Sequence, residues 1–191
     1  MLFLSAGQLR SAEAYLLLLA KYLRLEEFHG LRVSRLAPAQ TAALSIETLP
    51  VLVQPDGRTL YSLASITEAL LQPLNLDLLL GIDEQERTDH FRFFELCGVR
   101  GPAPAELAEE INKDLSGHFF LEKSTTLHVS DLCVFTALSH FMFALSAQEK
   151  TRLHCLYRWF WHLQEMEGVR ENLAACGLPV MDRLGMAEGG F

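Results

Sequence analysis

The sequence has little positive charge and no long apolar run. Its 191 residues include 16 Lys or Arg against 24 Asp or Glu, a formal net charge of -8. This acidic balance excludes a phosphate-binding surface over the whole molecule and leaves only a local basic face possible. The longest early apolar run, Ala14–Ala20, is far shorter than the roughly 20 residues that span a bilayer. We therefore expect a soluble globular protein that binds neither membranes nor nucleic acid directly.

Targeting and metal-binding patterns are missing as well. The first residues lack the positive charge and small-residue cleavage site of a signal peptide, which predicts a cytosolic location. The four cysteines are not arranged as C-x-x-C, and the seven histidines form no H-E-x-x-H motif, so we expect reduced thiols, no metal site and no cofactor. Cys133 and Cys155 lie in helical patterns and are expected to be buried, whereas Cys97 and Cys176 lie near predicted loops and are expected to be more reactive.

Strand and helix patterns alternate in the first 74 residues. A βαβ unit is followed by two short strands joined through the turn Pro55-Asp56-Gly57, and then by a helix. This order predicts a thioredoxin-like α/β domain over residues 1–74. The predicted strands are Leu2–Ser5, Leu31–Leu36, Leu49–Gln54 and Thr59–Tyr61, and the predicted helices run from Gly7 or Gln8 to Leu25 and from Ser62 or Ser65 to Leu71.

Everything after a connector at residues 75–82 is predicted to be helical. Apolar spacings of three and four predict helices at residues 83–97, 104–119, 130–143, 147–166 and 169–175. These helices form a predicted all-α domain over residues 83–185, followed by a flexible tail at residues 186–191.

The helix predicted at residues 147–166 carries two different faces. Ser146 and Glu149 form a capping box, and the apolar residues Leu153, Leu156, Phe160 and Leu163 lie on one stripe facing the core. On the opposite side lie His154, Arg158 and His162, with Trp161 at the edge. An ordinary solvated face is one explanation. The other is a binding surface, because Arg and Trp are enriched at binding hot spots.

These features together resemble the glutathione-transferase fold, with its thioredoxin-like α/β domain and all-α helical domain. The resemblance is carried by Leu-Pro-Val-Leu at 49–52, the connector, and the segment SDLCVFTAL at 130–138. It implies that Pro50 is cis, with a trans proline at a strand start as the alternative. It also gives Asp131 a structural role in the capping motif S/T-x-x-D, although His128 takes the first position here, which implies a weaker cap or one supplied by Thr126 or Ser130.

Active members of this fold place a thiolate-stabilising hydroxyl after the first strand, where this chain has Ser5. The alternative role of Ser5 is to cap the first helix by accepting a backbone hydrogen bond. Active members also have Glu or Gln followed by Ser at the positions of Ser62 and Leu63, where they bind the γ-glutamyl group of glutathione. Leu63 provides no partner for those charges, and a buried charge without partners is disfavoured. We therefore expect no catalysis, and a transferase with an atypical site using Ser5 remains the alternative.

Within this fold the chain resembles the non-catalytic scaffold proteins of the multi-tRNA synthetase complex, which also have leucine at the position of Leu63. In the N-terminal half the likeness is limited to Pro50-Val51-Leu52 and Ile66. In the second half it is carried by Leu80-Gly81, Glu84, Glu86, Gln148-Glu149-Lys150, Arg158-Trp159-Phe160, His162, Gln164, Gly168, Arg170, Leu173 and Arg183-Leu184.

The scaffold resemblance implies two protein-binding faces. The first, on the helices at 65–71 and 84–97, would pair with the transferase-like domain of methionyl-tRNA synthetase through Ser65, Ile66, Phe91 and Phe94. The second, around Arg158, would bind the corresponding domain of glutamyl-prolyl-tRNA synthetase, with Asp182 as an acidic companion or simply an exposed loop acid. A nuclear location is implied only by this resemblance. A transferase-like module that pairs with itself is a further alternative.

Overall fold

A computed structural model describes residues 1–7, 9–44, 49–74, 92–97 and 103–181. In these residues the α/β half comes first and the helical half follows, so the fold class predicted from the sequence is confirmed. The strands of the first half are β1 (Leu2–Ser5), β2 (Val33–Leu36), β3 (Val51–Val53) and β4 (Thr59–Leu60), and its helices are α1 (Ser11–Tyr22), α2 (Leu25–Phe28), α3 (Pro38–Ala43) and α4 (Leu63–Leu71).

The sheet is mixed and has the strand order β2-β1-β3-β4. β1 pairs in parallel with β2, while β3 pairs antiparallel with both β1 and β4. The Leu49-Pro50 bond at the entrance to β3 is cis, as the resemblance implies. This topology brings the end of β1, the start of α1 and the cis proline close together, and we call the region between them the cleft.

The second half is helical in its described part. Residues 92–96 are helical, and we call them α5. The helices that follow are α6 (Pro104–Asp114), α7 (Val129–Ala144), α8 (Ala147–Arg152) and α9 (His154–Gln164), with 3-10 turns at Leu121–Lys123, Arg170–Asn172 and Ala174–Cys176.

The helices depart most clearly from the sequence prediction in three places. The helix expected at 147–166 is interrupted at Leu153 (φ -98°, ψ 41°), and the Asn112 side-chain oxygen accepts the hydrogen bond of the Leu156 N–H at 3.0 Å. The helix expected at 169–175 is two 3-10 turns. α3 was not predicted, although Pro38 at its start and the Gln40 side chain, which accepts the Ala37 N–H at 2.9 Å, are ordinary helix-start signals.

The core joins the two halves mainly through α1 and α7. All four leucines of Leu16–Leu19 are buried in α1, as are Leu132, Phe135 and Leu138 in α7. The predicted apolar stripe of α8 and α9 is confirmed, since Leu153, Leu156, Phe160 and Leu163 are at most 1% exposed. Within the described residues no helix has both the length and the apolar character required to span a bilayer.

Asp131 stabilises the start of α7 from inside the core. Its carboxyl oxygens accept the backbone N–H groups of Leu121 at 3.0 Å and His128 at 2.9 Å, and the indole N–H of Trp159 at 2.9 Å. The helix is thus capped by Asp131 itself, not by a hydroxyl of Thr126 or Ser130. The Ser130 hydroxyl is buried and has no hydrogen-bond partner within the described part of the chain. Burial raises the pKa of Asp131 to about 6, although these three hydrogen bonds oppose the shift.

Candidate functional site

The hydroxyl at the end of β1 is engaged inside the protein. Ser5 Oγ lies 2.6 Å from Glu13 Oε1, and the Ser5 backbone N–H donates to the same oxygen at 2.7 Å. Since a carboxylate can only accept, the Ser5 hydroxyl donates its proton to Glu13. The expectation that Ser5 caps α1 is therefore wrong: Arg10 is the N-cap residue, and Glu13 Oε2 accepts its backbone N–H at 3.1 Å.

Arg10 connects Glu13 to the residue before the cis proline. Its Nε donates to Glu13 Oε2 at 3.1 Å, and its Nη2 donates to the carbonyl oxygen of Leu49, next to the cis proline. Burial of Glu13 alone would raise its pKa, but the hydrogen bonds from Ser5 and Arg10 outweigh this and lower it. Hydroxyl, carboxylate, guanidinium and carbonyl thus satisfy one another, and the polar groups of the cleft are committed to internal contacts.

The position expected to bind a γ-glutamyl group has a structural role. Ser62 is the N-cap of α4, and its Oγ accepts the Ser65 N–H at 3.0 Å and lies 2.8 Å from Ser65 Oγ. Leu63, the first residue of α4, is half-buried and has only an apolar side chain. Neither residue offers a charged partner to an amino-acid ligand.

The second predicted site is an exposed platform on α9. Arg158 is exposed, its Nη2 donates to the carbonyl oxygens of His118 at 2.7 Å and Leu115 at 3.4 Å, and its guanidinium lies 5.6 Å from the centroid of the Phe119 ring. Phe119 itself is 69% exposed. We call Arg158 and Phe119 the Arg158 platform. Phe119 is not among the predicted site residues, because it lies after the end of α6, where helical periodicity gives no signal.

The neighbours predicted on this face differ in their exposure. His154 and His162 are exposed, as the helical spacing predicts, and the His162 ring lies 5.6 Å from that of Phe120. Trp161 is half-buried and packs against the core. The face therefore combines a cation, two imidazoles and aromatic surface, held on the core by buried Trp159.

The first predicted face requires a correction. Ile66 is fully buried and Phe94 is 5% exposed, with its ring 5.7 Å from that of buried Tyr15. Both are core residues in this chain, because α4 and α5 turn these side chains towards α1, so the sequence-based expectation that they contact a partner is wrong. Ser65 is half-buried. Phe91 lies outside the described residues.

Asp182 also lies outside the described residues, but the structure shows what holds the chain next to it. The side-chain amide of buried Gln164 donates to Met181 O at 2.9 Å and accepts the Met181 N–H at 2.7 Å. This pair of hydrogen bonds fixes residue 181 against the end of α9. In the sequence, Gln164 is singled out only by the resemblance. Its position four residues after buried Phe160 places a polar side chain on the buried face of the helix, and this is a signal of such a contact.

A groove of about 880 Å³ lies away from both predicted sites. It is bordered by the end of α1, by α2 and by residues 166–172. Lys21 Nζ lies 3.7 Å from Glu26 Oε2, and Arg24 Nη2 lies 2.7 Å from Glu27 Oε2, so these four charges form two ion pairs within the groove. Across the ranges that the structure describes, no group of three or more His, Cys, Asp and Glu is arranged to hold a metal ion.

Comparisons with known proteins agree with this architecture. No family model matches the chain. Eukaryotic translation elongation factor 1 epsilon-1 of Cricetulus griseus is 28% identical over 158 residues, which are 79% of this chain and 87% of that protein. The GST-like domain of elongation factor 1-gamma from Saccharomyces cerevisiae superposes with a TM-score of 0.63 at 15% identity, over 89% of this chain and 91% of that domain.

Enzymes share the fold as well. A glutathione S-transferase of Methylobacillus flagellatus, solved with glutathione bound, superposes with a TM-score of 0.67 at 16% identity, over 90% of this chain and 98% of that enzyme. At such identities the structural likeness establishes the fold alone. The glutathione-transferase fold is thus confirmed, and the chain resembles elongation factor 1 epsilon-1.

Proposed function

We propose that this protein is a non-catalytic scaffold that binds the transferase-like domains of methionyl-tRNA synthetase and glutamyl-prolyl-tRNA synthetase and so assembles a multi-synthetase complex in the cytosol. The observation that carries the proposal is the Arg158 platform, where an exposed guanidinium covers an exposed phenylalanine. The resemblance to elongation factor 1 epsilon-1 supports a translation-associated role for such a surface.

The charge of Arg158 is available to a partner. Its contacts use Nη2 only, and they are with carbonyl oxygens, so among the described residues no carboxylate neutralises it. Nε and Nη1 remain available as donors. Arg24 provides the contrast, since it lies 4.8 Å from the ring of exposed Phe28 but forms two hydrogen bonds with the carboxylate of Glu27. Two similar Arg-Phe pairs thus differ in whether the charge is compensated, and only Arg158 presents an unpaired cation suited to a partner's carboxylate.

The non-catalytic part of the proposal is supported by the cleft. A thiolate needs a hydroxyl that can donate a hydrogen bond to it, whereas the Ser5 proton is directed at Glu13. Arg10 also holds the Leu49 carbonyl, and Leu63 offers no partner to the γ-glutamyl group. A ligand entering this cleft would have to replace several partly buried hydrogen bonds, which is costly.

The experiment that tests the binding role is affinity purification from a cytosolic extract. Wild type, Arg158→Ala and the matched control Arg24→Ala serve as bait, and retained proteins are identified by mass spectrometry. We expect wild type and Arg24→Ala to retain both synthetases, and Arg158→Ala to lose most of the glutamyl-prolyl enzyme while keeping the methionyl enzyme. Equal loss with Arg24→Ala would contradict a specific role of the platform, and retention of neither synthetase by wild type would contradict the assignment of partners.

The transferase alternative has its own test. The glutathione-bound enzyme that shares this fold makes binding of glutathione a reasonable alternative, and a glutathione-affinity column measures it directly. We expect this protein to pass through unretained. Retention followed by elution with free glutathione would contradict the closed cleft. A mass measurement of the isolated chain at micromolar concentration separates a self-pairing module, which is dimeric, from a scaffold that requires other partners.

A further inference from the structure

The segment that carries Phe119 is held to α9 in its first part. We call residues 115–121 the connecting segment, because they lead from α6 into the 3-10 turn that follows it. Arg158 Nη2 donates to the carbonyl oxygens of Leu115 at 3.4 Å and His118 at 2.7 Å. These hydrogen bonds fix the start of the segment and leave its last residues to other contacts.

The end of the connecting segment is held by a carboxyl group. Asp131 Oδ1 in α7 accepts the Leu121 N–H at 3.0 Å and also the indole N–H of Trp159 at 2.9 Å. Asp131 Oδ2 accepts the His128 N–H at 2.9 Å, which caps α7. The two oxygens therefore have different roles, since Oδ2 serves the start of the helix and Oδ1 joins the segment to α9. Because Trp159 directly follows Arg158, both ends of the segment are linked to adjacent residues of α9.

The link through Asp131 is inaccessible to solvent. Asp131 is fully buried, and Leu121 and Trp159 are each 1% exposed. Hydrogen bonds to a carboxylate are stronger than those between neutral groups, and the low dielectric of the interior strengthens them further. The end of the segment is therefore held more firmly than its start, where the contacts come from the exposed guanidinium of Arg158.

The aromatic residues of the segment point in different directions. Phe120 is 8% exposed, and its ring lies 5.6 Å from that of His162 in α9. Its neighbour Phe119 is 69% exposed, with its ring centroid 5.6 Å from Cζ of Arg158. Since Leu121 is buried as well, the position of Phe119 depends on the contacts of the two residues that follow it.

We propose that Asp131 and Trp159 are positioning residues of the Arg158 platform, because their shared hydrogen bond keeps the connecting segment, and with it Phe119, against the Arg158 guanidinium. This role rests on the proposed binding function of the platform. A partner bound to the platform touches neither residue, since both are buried, yet its affinity depends on them through the position of Phe119. Substitutions of these two residues should thus weaken partner binding without changing any exposed side chain.

Substitutions at the two positions separate the link from the helix cap. Asp131→Ala removes both oxygens. Asp131→Asn retains one carbonyl oxygen, which satisfies two donors when it faces Leu121 and Trp159 and only one when it faces His128. This variant should therefore keep the link to the segment and lose the cap of α7. Trp159→Phe removes the indole N–H and retains an aromatic ring.

The measurement is nuclear magnetic resonance of the whole chain at neutral pH. The ring current of Phe119 shifts the side-chain resonances of Arg158, and Phe119→Leu supplies the reference without a ring. We expect Trp159→Phe and Asp131→Ala to lose most of this shift and Asp131→Asn to keep most of it. The Leu121 amide should exchange with solvent about tenfold faster in Asp131→Ala, because its buried hydrogen bond is lost, and near the wild-type rate in Asp131→Asn.

Two controls disturb buried groups outside the platform. Thr67→Val removes the hydroxyl that lies 3.2 Å from the Tyr15 hydroxyl. Cys176→Ala removes a thiol that is 1% exposed. Burial raises the pKa of Cys176 to about 11, so the expectation from the sequence that this cysteine is reactive is wrong, and its substitution tests packing alone. Both controls should keep the Arg158 shift even where they lower the free energy of unfolding.

Three results would contradict the positioning role. One is that Trp159→Phe keeps the full Arg158 shift. Another is that Asp131→Asn loses as much of the shift as Asp131→Ala, and the third is that either control loses as much as Trp159→Phe. If Asp131→Ala does not fold, the comparison of Trp159→Phe with Asp131→Asn and with the two controls decides the question.

The affinity purification separates this role from the proposed function. We expect Trp159→Phe to retain less of the glutamyl-prolyl enzyme than Thr67→Val does. A Trp159→Phe variant that loses the Arg158 shift and still retains this enzyme fully would contradict the dependence of binding on the position of Phe119. If wild type retains neither synthetase, the proposed function fails, whereas the resonance shifts still show whether the two buried residues position the platform.

Discussion

The polar groups of the cleft at the end of β1 and those of the Arg158 platform are hydrogen-bonded in opposite ways. In the cleft, the Ser5 hydroxyl, the Glu13 carboxylate and the Arg10 guanidinium bind one another. On the platform, the guanidinium of Arg158 has only carbonyl partners and covers an exposed ring. The cleft therefore contributes to stability, whereas the platform leaves donors of its guanidinium unused, and this difference is the basis of the proposed binding role.

The largest effect on the free energy of unfolding is expected from Glu13→Ala, which removes the central carboxylate of the cleft. Glu13 is fully buried and accepts four hydrogen bonds from Ser5 and Arg10, so its removal leaves their donors unsatisfied and should lower the free energy of unfolding by about 3 to 5 kcal/mol. Urea denaturation measures this change. Glu149→Ala is the matched control. Glu149 is also the third residue of its helix, and its carboxylate also accepts the backbone N–H of the N-cap residue, Ser146, but it does so at the surface. This substitution should cost about 1 kcal/mol. Equal losses would show that the cleft is not a buried network.

The next-largest effect is expected in the pH dependence of the free energy of unfolding, through the carboxyl group of Asp131. The pKa of Asp131 is raised from 3.8 to about 6 in the folded protein, so the folded state binds the proton more tightly than the unfolded state between these values. The stabilisation by the protonated form is complete below the unfolded pKa and is lost as the pH rises through about 6. The shift corresponds to about 3 kcal/mol in the free energy of unfolding.

Asp131→Asn removes this titration and serves as the reference. The unfolding free energy of wild type minus that of Asp131→Asn should decrease between pH 4 and pH 7, measured by urea denaturation at each pH. The two buried carboxyl groups behave differently because the hydrogen bonds from Ser5 and Arg10 outweigh the effect of burial on the pKa of Glu13, whereas the hydrogen bonds to Asp131 do not outweigh the effect of its burial. If this difference in unfolding free energy did not change with pH, folding would not raise the pKa of Asp131, which would contradict the prediction.

A smaller effect is expected for Ser5→Ala. The variant loses one charge-assisted hydrogen bond to Glu13 and keeps the backbone bond of residue 5, so the free energy of unfolding should fall by about 1.5 to 3 kcal/mol. Thermal or urea denaturation measures the loss. If Ser5 served catalysis instead, the change would leave stability nearly unaltered and abolish a glutathione-dependent activity present in wild type.

The sequence predicts the elements of the fold better than the contacts of the site. Periodicity identifies the buried stripe of α9 because helical spacing depends only on neighbouring residues, and the resemblance to the fold family implies the cis bond at Pro50. The partner of Ser5 is Glu13, eight residues further along the chain and in a different element, so neither strand nor helix periodicity connects the two. The burial of Phe94 depends on α1, so helical spacing alone could not separate it from a surface residue.

The smallest change in stability is expected for Arg158→Ala, and this is what separates the platform from the cleft. Arg158 is exposed and donates two hydrogen bonds to carbonyl oxygens that water can replace, so the free energy of unfolding should fall by about 1 kcal/mol or less. Urea denaturation beside the affinity purification gives both quantities for the same variant. A well-folded variant that no longer retains a partner assigns Arg158 to binding. A loss as large as that of Glu13→Ala would instead make Arg158 a structural support of the segment that carries Phe119, because that segment would then depend on the guanidinium for its position.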